Sequence, residues 1–221
     1  MASLLGRRKR SSGDENDARH EFGGPEVLRF EDAPDPIPQA GQVQIRVRAS
    51  GINPADLVRL SGRLQPLALL YIPGTDVCGE VESVGTGVTH VKRGDRVFGR
   101  AFAGGHAEKT CLTANEAVAL PANPSWEEGA AIPIPFFTAY RALYHKAVLR
   151  PGETVLISAG GGGVGVAAIQ LAKAVNALVL TTVGSHPRRR NEQGNSVLIS
   201  RSTTGSRISW QKCSRPLVAK E

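Results

Sequence analysis

Residues 154–165 read Thr154-Val155-Leu156-Ile157-Ser158-Ala159-Gly160-Gly161-Gly162-Gly163-Val164-Gly165, and this stretch decides the fold. Its first five residues form a β-branched, apolar run suited to a buried parallel strand. An Ala-rich helical pattern follows over 164–175, and residues 177–183 read as a second buried strand. Strand, glycine loop, helix and strand in that order make one βαβ unit. Gly160, Gly162 and Gly165 fit G-x-G-x-x-G. In that pattern one glycine makes the tight turn, one lets the backbone approach a diphosphate, and one lets helix and strand pack closely. Backbone N–H groups of Gly163 and Val164 at the helix start then hold phosphate oxygens, aided by the helix dipole. A merely flexible glycine connection is the plain alternative. The ordered flanks on both sides favour dinucleotide binding.

The end of the second strand bears on the choice of cofactor. An Asp or Glu about 20 residues past the loop start would bind a ribose 2′-hydroxyl. Val183-Gly184-Ser185-His186 offers no carboxylate there. That absence leaves room for a 2′-phosphate and Ser185 can donate to it, so the expected cofactor, resting on Gly184 and Ser185, is NADPH. Arg188 and Arg189 are either further phosphate partners or simply part of an irregular tail.

On the N-terminal side, Ser125-Trp126-Glu127-Glu128 is a capping box that starts a helix. Thr138–Val148 has helical spacing, and Pro151-Gly152-Glu153 is a turn. Further upstream, Val43-Gln44-Ile45-Arg46-Val47-Arg48 alternates as a half-buried strand does. Gly74–Val84 suits a strand pair, and Gly94-Asp95-Arg96-Val97-Phe98-Gly99 is a turn into a strand. Short strands with Gly and Pro turns predict a small β-barrel or sandwich. Four regions are expected: a disordered extension over 1–19, a β domain over 20–124, a partial dinucleotide-binding domain over 125–184, and an irregular tail over 185–221 without a third strand.

The chain has 221 residues and a net charge of +7. Residues 1–19 carry +2 and residues 185–221 carry +6, which leaves −1 for residues 20–184. The basicity therefore belongs to the ends, so solvated tails are expected and nucleic-acid binding is not. No apolar run reaches the roughly 18 residues of a membrane span, and a cytoplasmic protein is expected. Cys78, Cys111 and Cys213 are too few and too scattered for a disulfide framework or a metal site.

Several strings, in order, resemble the quinone oxidoreductase (zeta-crystallin-like) family, a zinc-free branch of the medium-chain dehydrogenase/reductases. They are His20-Glu21-Phe22-Gly23-Gly24-Pro25-Glu26-Val27-Leu28, Gly51-Ile52-Asn53-Pro54-Ala55-Asp56, Pro73-Gly74-Thr75-Asp76-Val77-Cys78-Gly79-Glu80-Val81, Gly94-Asp95-Arg96-Val97-Phe98-Gly99 and Phe137-Thr138-Ala139-Tyr140-Arg141-Ala142-Leu143. The glycine loop completes the set, and the resemblance covers about residues 20–185. It implies a fold class of α/β plus β: a GroES-like β-barrel domain followed by a Rossmann domain (a doubly wound parallel sheet), with the active site in the cleft between them. It implies hydride transfer from NADPH to a quinone or related enone. It places Asn53 and Asp56 at the cleft and Thr138 beside the nicotinamide, as the catalytic residues. Asn53 would donate a hydrogen bond to the acceptor oxygen as charge develops. Family members often carry Tyr where Val58 stands, and this chain departs from them there. Full-length relatives are expected to be homodimers.

Zinc alcohol dehydrogenases share this frame. They carry Cys where Asn53 stands and His where Thr75 stands, and neither Asn nor Thr is a usual zinc ligand. The four-cysteine zinc loop is missing near Arg100–Thr110. Cys78 and Cys111 read as core residues and His106 as a turn residue, so no metal is expected. A family member runs to about 320 residues by this resemblance, so the Rossmann domain is expected to be incomplete. Read in the neighbouring codon frame, Asn195–Glu221 can encode a chain resembling the family's next strand and helix, which points to a one-base shift near His186. Such a βαβ piece is expected to show open apolar faces and an open sheet edge. Three further readings stand beside an active reductase: an inactive fragment or pseudoenzyme, a zinc-type alcohol dehydrogenase relative, and a basic-tailed nucleic-acid binder.

Overall fold

The computed structural model describes residues 14–64, 71–184, 195–199 and 211–212. The chain divides into two compact units, Met1–Pro133 and Ile134–Glu221.

The first unit contains strands β1 (Asp14–Arg19), β2 (Leu28–Ala33), β3 (Gln42–Gly51), β4 (Asp76–Val84), β5 (Arg96–Arg100), β6 (Lys109–Thr113) and β7 (Val118–Ala119). Helix α1 (Pro54–Leu60) follows β3, and helix α2 (Trp126–Ala130) ends the unit. Five strands form an antiparallel sheet in the order β6-β3-β4-β5-β7. This is the β domain that the alternating pattern predicts. β3 buries one face and turns Arg46 and Arg48 outward, while β4 is buried on both faces over Asp76–Gly79. Val43, Ile45, Val77, Val81, Val97 and Leu112 form one core. Cys78, Phe98, Leu120 and Ala130 form a second core, against α2. Each such buried aliphatic side chain stabilises the fold by roughly 1.5–3 kcal/mol.

Three local expectations change. Gly74–Val84 supplies one strand, β4, rather than a pair. Asp14–Arg19 lies in the stretch read as disordered, yet it forms β1 and pairs with β2 from Asp14↔Ala33 to Arg19↔Leu28. Its charged sequence has no period for a burial argument to find; the partner strand supplies the order. Helix α2 packs on the first unit, so the division falls after Pro133 and not after residue 124.

α2 begins as its capping box dictates. The Glu128 N–H donates to Ser125 Oγ at 3.1 Å, and the Ser125 N–H donates to Glu128 Oε2 at 2.8 Å. Gly129 then lies directly over the Cys78 sulfur. An added Cβ there would meet Sγ at 2.4 Å.

The second unit takes up α3 (Pro133–Tyr140), which runs on as a π-helical turn over Arg141–Lys146. It continues with β8 (Thr154–Ile157), α4 (Gly163–Ala174), β9 (Leu178–Gly184), β10 (Asn195–Ile199) and β11 (Gln211–Lys212). β8 and β9 are parallel, in register from Thr154↔Leu178 to Ile157↔Thr181. With α4 between them they form the expected βαβ unit. The helix expected over Thr138–Val148 starts earlier, at Pro133, and changes pitch after Tyr140. Tyr140 and Tyr144 meet edge to face at 4.9 Å between ring centres, and the Tyr144 hydroxyl donates to the Leu171 carbonyl at 2.8 Å. The widened turn ends at Val148, whose φ of 52° is unusual for a β-branched residue.

α4 covers one face of β8 and β9. Ala167, Ala168, Ala172, Ile157 and Val179 are buried there, while Leu156 on the other face is 63% exposed. The strand expected to be buried on both faces is therefore buried on one. β10 pairs antiparallel with β9, and β11 with β10, giving the sheet order β11-β10-β9-β8, so the expected open edge lies at β8, which has no second partner strand among the described residues. The reading of 185–221 as strandless is thus corrected. The short apolar run Val197-Leu198-Ile199 follows Asn195 and Ser196 inside an otherwise polar tail, too brief to show a period. No helix among the described residues is long and apolar enough to cross a membrane.

Candidate functional site

The glycine loop lies where its sequence requires, between the end of β8 and the start of α4. Gly162 is the N-cap of α4 in extended conformation, and the first helical bond runs from the Val166 N–H to the Gly162 carbonyl at 2.8 Å. The N–H groups of Gly163, Val164 and Gly165 therefore precede any carbonyl partner within the helix. Residues 161–164 are exposed. An added Cβ at Gly161 would meet nothing within 4 Å, and one at Gly162 would approach only the Ala159 carbonyl oxygen, at 3.4 Å. The loop thus presents bare backbone and a helix N-terminus, an environment that favours an anion.

The three motif glycines divide the work differently from the expected scheme. Gly165 is the packing glycine: a Cβ there would sit 2.3 Å from the Ala159 carbonyl oxygen and 2.7 Å from Gly160 Cα. Gly160 is buried against β9, where its Cβ would strike Thr181 Oγ1 at 2.0 Å. The tight turn falls to no glycine. Ala159 takes the left-handed conformation, with φ 54°, at a cost of about 1–2 kcal/mol for a residue with a Cβ.

Two threonines of β9 brace this turn. The Gly160 N–H donates to the Thr182 carbonyl at 2.8 Å, and the Ala159 N–H donates to Thr182 Oγ1 at 3.2 Å. The buried Thr181 hydroxyl donates to the Ile157 carbonyl at 2.8 Å, tying β9 to β8. Sequence reading passed over both residues. Their signal was a polar pair inside the apolar run Leu178-Val179-Leu180-Thr181-Thr182-Val183. Thr138 is exposed on α3, one turn beyond Pro135, whose ring lies 3.5 Å from where a Gly163 Cβ would be. Thr138 and the glycine loop thus share a neighbourhood in the second unit. Gly184 ends β9, while Ser185, Arg188 and Arg189 lie outside the described residues.

Asn53 and Asp56 come together in the first unit. Asn53 is the N-cap of α1, and its N–H donates to Asp56 Oδ2 at 2.8 Å. Asp56 Oδ1 accepts from the Thr75 hydroxyl at 3.3 Å and lies 3.8 Å from the Arg59 guanidinium. Asp56 is 3% exposed, so its carboxylate is occupied in fixing the start of the helix. The Asn53 side-chain amide donates through Nδ2 to Asp76 Oδ2 at 2.8 Å, and Nδ2 lies 3.5 Å from Thr75 Oγ1. Asp76 was not singled out in the sequence. It meets Asn53 because β3 and β4 pair Gly51 opposite Asp76, and α1 starts just past Gly51.

Cys78 is a core thiol, fully buried, and burial pushes its pKa up to about 11. Burial likewise raises the Cys111 thiol. His106 sits in the turn beside Gly74, with its backbone N–H on the Pro73 carbonyl at 2.9 Å. Among the described residues, no three His, Cys, Asp or Glu side chains are grouped as metal ligands would be.

The β unit and the glycine-loop βαβ unit, in this order, match proteins of known kind. The chain belongs to the alcohol dehydrogenase GroES-like domain family, which matches residues 39–158. Its relatives are quinone oxidoreductases. The rat protein is 46% identical over 173 residues, which cover 77% of this chain and 53% of that protein. The human protein is 43% identical over 182 residues, 81% of this chain and 54% of that one. Among solved structures, Escherichia coli quinone oxidoreductase complexed with NADPH superposes with a TM-score of 0.72 at 36% identity, over 77% of this chain and 53% of the other. The chain spans about half the length of the curated relatives it matches.

Proposed function

We propose that the chain carries the site of an NADPH-dependent oxidoreductase acting on a quinone or related enone. The observation that carries this reading is the exposed backbone of Gly161–Val164 at the N-terminus of α4, braced from behind by Thr181 and Thr182. Its fit to a diphosphate is steric and electrostatic: no side chain fills the cradle, and the free N–H groups lie at the positive end of the helix dipole. The similarity to a quinone oxidoreductase complexed with NADPH supports the same assignment. NADPH, when bound, supplies the hydride.

The chain's own residues then have distinct tasks. Gly163, Val164 and Gly165 hold the diphosphate by their N–H groups, and the lack of a carboxylate in Val183-Gly184-Ser185-His186 leaves a 2′-phosphate acceptable, with Ser185 as a donor to it. Thr138, exposed near the loop, is assigned to the nicotinamide end. Asn53 donates to the acceptor oxygen as it gains negative charge, by its second amide hydrogen. Asp56, already bound to Asn53 and Thr75, positions rather than reacts. We assign no zinc to this site. Neither Asn53 nor Thr75 is a usual zinc ligand, and the Cys78 thiol is sealed and protonated.

The test is NADPH titration of the purified chain by nicotinamide fluorescence, followed by NADPH oxidation with duroquinone. Saturable binding that G165V abolishes, together with quinone-dependent oxidation, supports the assignment. Absence of any NADPH binding to folded protein overturns it.

A further inference from the structure

We infer that Asp76 is a positioning residue that fixes which end of the Asn53 amide faces the acceptor; this rests on the function proposed above. The amide of an asparagine is nearly symmetric in shape but opposite in chemistry at its two ends, so something must choose between them. A carboxylate chooses decisively, because when ionised it can only accept. Asp76 Oδ2 lies 2.8 Å from Asn53 Nδ2, and Asp76 is 2% exposed, so solvent does not weaken the preference. The flipped amide would set oxygen against oxygen at that distance.

The fold makes room for this contact. A Cβ on Gly51 would lie 3.0 Å from Asp76 Cβ, 3.3 Å from its Oδ2 and 3.1 Å from the Ala130 carbonyl oxygen. Glycine at 51 thus lets β3 pass close enough for Asp76 to reach Asn53. The Ser50 hydroxyl donates to the Asp76 carbonyl at 2.8 Å and holds the backbone at the same point.

With one amide hydrogen committed to Asp76, the Asn53 nitrogen lies 3.5 Å from Thr75 Oγ1, so the second hydrogen has only a long, weak partner there. That second N–H is the donor left for an acceptor oxygen. Asn53 is therefore held as a donor and not as a carbonyl that would repel the substrate.

The decisive variant is D76N, which keeps the shape and removes the preference. The side-chain amide signals of Asn53 in a 15N–1H spectrum of the full chain, assigned by their loss in N53A, should shift in D76N. Turnover of duroquinone should fall about ten- to a hundredfold through kcat, with the NADPH dissociation constant unchanged. In the N53A background, D76N should add less than about twofold, since a residue acting through Asn53 has nothing left to position. Unshifted Asn53 signals, or full additivity of the two substitutions, overturn the inference. If the unsubstituted chain oxidises no NADPH, the functional reading fails, and the amide spectrum alone decides whether Asp76 orients Asn53. If D76N does not fold, N53D replaces it. Two carboxylates would then face each other, and its melting temperature should fall below that of N53A; equality of the two overturns the contact.

Discussion

Gly165 lies so close to Ala159 that a single added methyl group would reach within 2.3 Å of the Ala159 carbonyl oxygen. The obstructing atoms are backbone, so no rotamer change relieves the clash. G165A should destabilise the chain by about 1–3 kcal/mol and weaken NADPH binding by shifting the helix start away from the loop. Thermal denaturation and fluorescence titration measure the two effects. A variant with unaltered stability and affinity would show that helix and loop do not meet as described.

Thr182 offers a test of the brace without a steric clash. T182V retains the backbone carbonyl that accepts from Gly160 and removes the hydroxyl that accepts from the Ala159 N–H. The expected loss is about 1 kcal/mol of stability, with a several-fold weaker NADPH affinity. Unchanged binding would mean that the loop holds its shape without the hydroxyl.

Much of this arrangement is legible in the sequence, and the rest has a physical reason for being hidden. The strand, loop and helix from Thr154 to Ala174 follow from period and glycine spacing. The start of α2 follows from Ser125 and Glu128. Hidden were contacts set by register: Asp76 reaches Asn53 only because Gly51 pairs with it across two strands. The left-handed turn at Ala159 was hidden because alanine gives no signal for it; the neighbouring glycines were the obvious candidates. β1 and β10 were hidden because each depends on a partner strand rather than on its own pattern.

Val148 closes the π-helical turn at φ 52° with its side chain 58% exposed, so strain there is not offset by packing. V148G should raise stability by about 1 kcal/mol, since relief of the left-handed penalty exceeds glycine's added freedom in the unfolded chain. Urea denaturation measures it. A loss of stability would indicate that the valine side chain contributes packing that outweighs the strain.

Gly129 and Cys78 form a steric pair across α2 and β4, with a prospective Cβ 2.4 Å from the sulfur. G129A alone should cost about 1–3 kcal/mol by overpacking. Adding C78A removes the sulfur and should recover a large part of that loss. Strictly additive effects would argue against the contact.

The Cys78 thiol also sets an alkaline limit. Burial raises its pKa from 9.0 to about 11 in the folded chain. Below pH 9 both states hold the proton and the linkage is silent. Between pH 9 and 11 the unfolded chain releases it and the folded chain does not. Stability should therefore fall with rising pH in that window, by roughly 1.4 kcal/mol per unit at most. C78A should flatten this slope in pH-dependent urea melts, and an unchanged slope would assign it to other groups.

Because Gly129 caps the sulfur, a thiol reagent meets Cys78 only when α2 lifts from the sheet. The alkylation rate at that one position, mapped by peptide mass, is then a clock for the detachment of a single five-residue helix. It reads the free energy of this local opening separately from global melting.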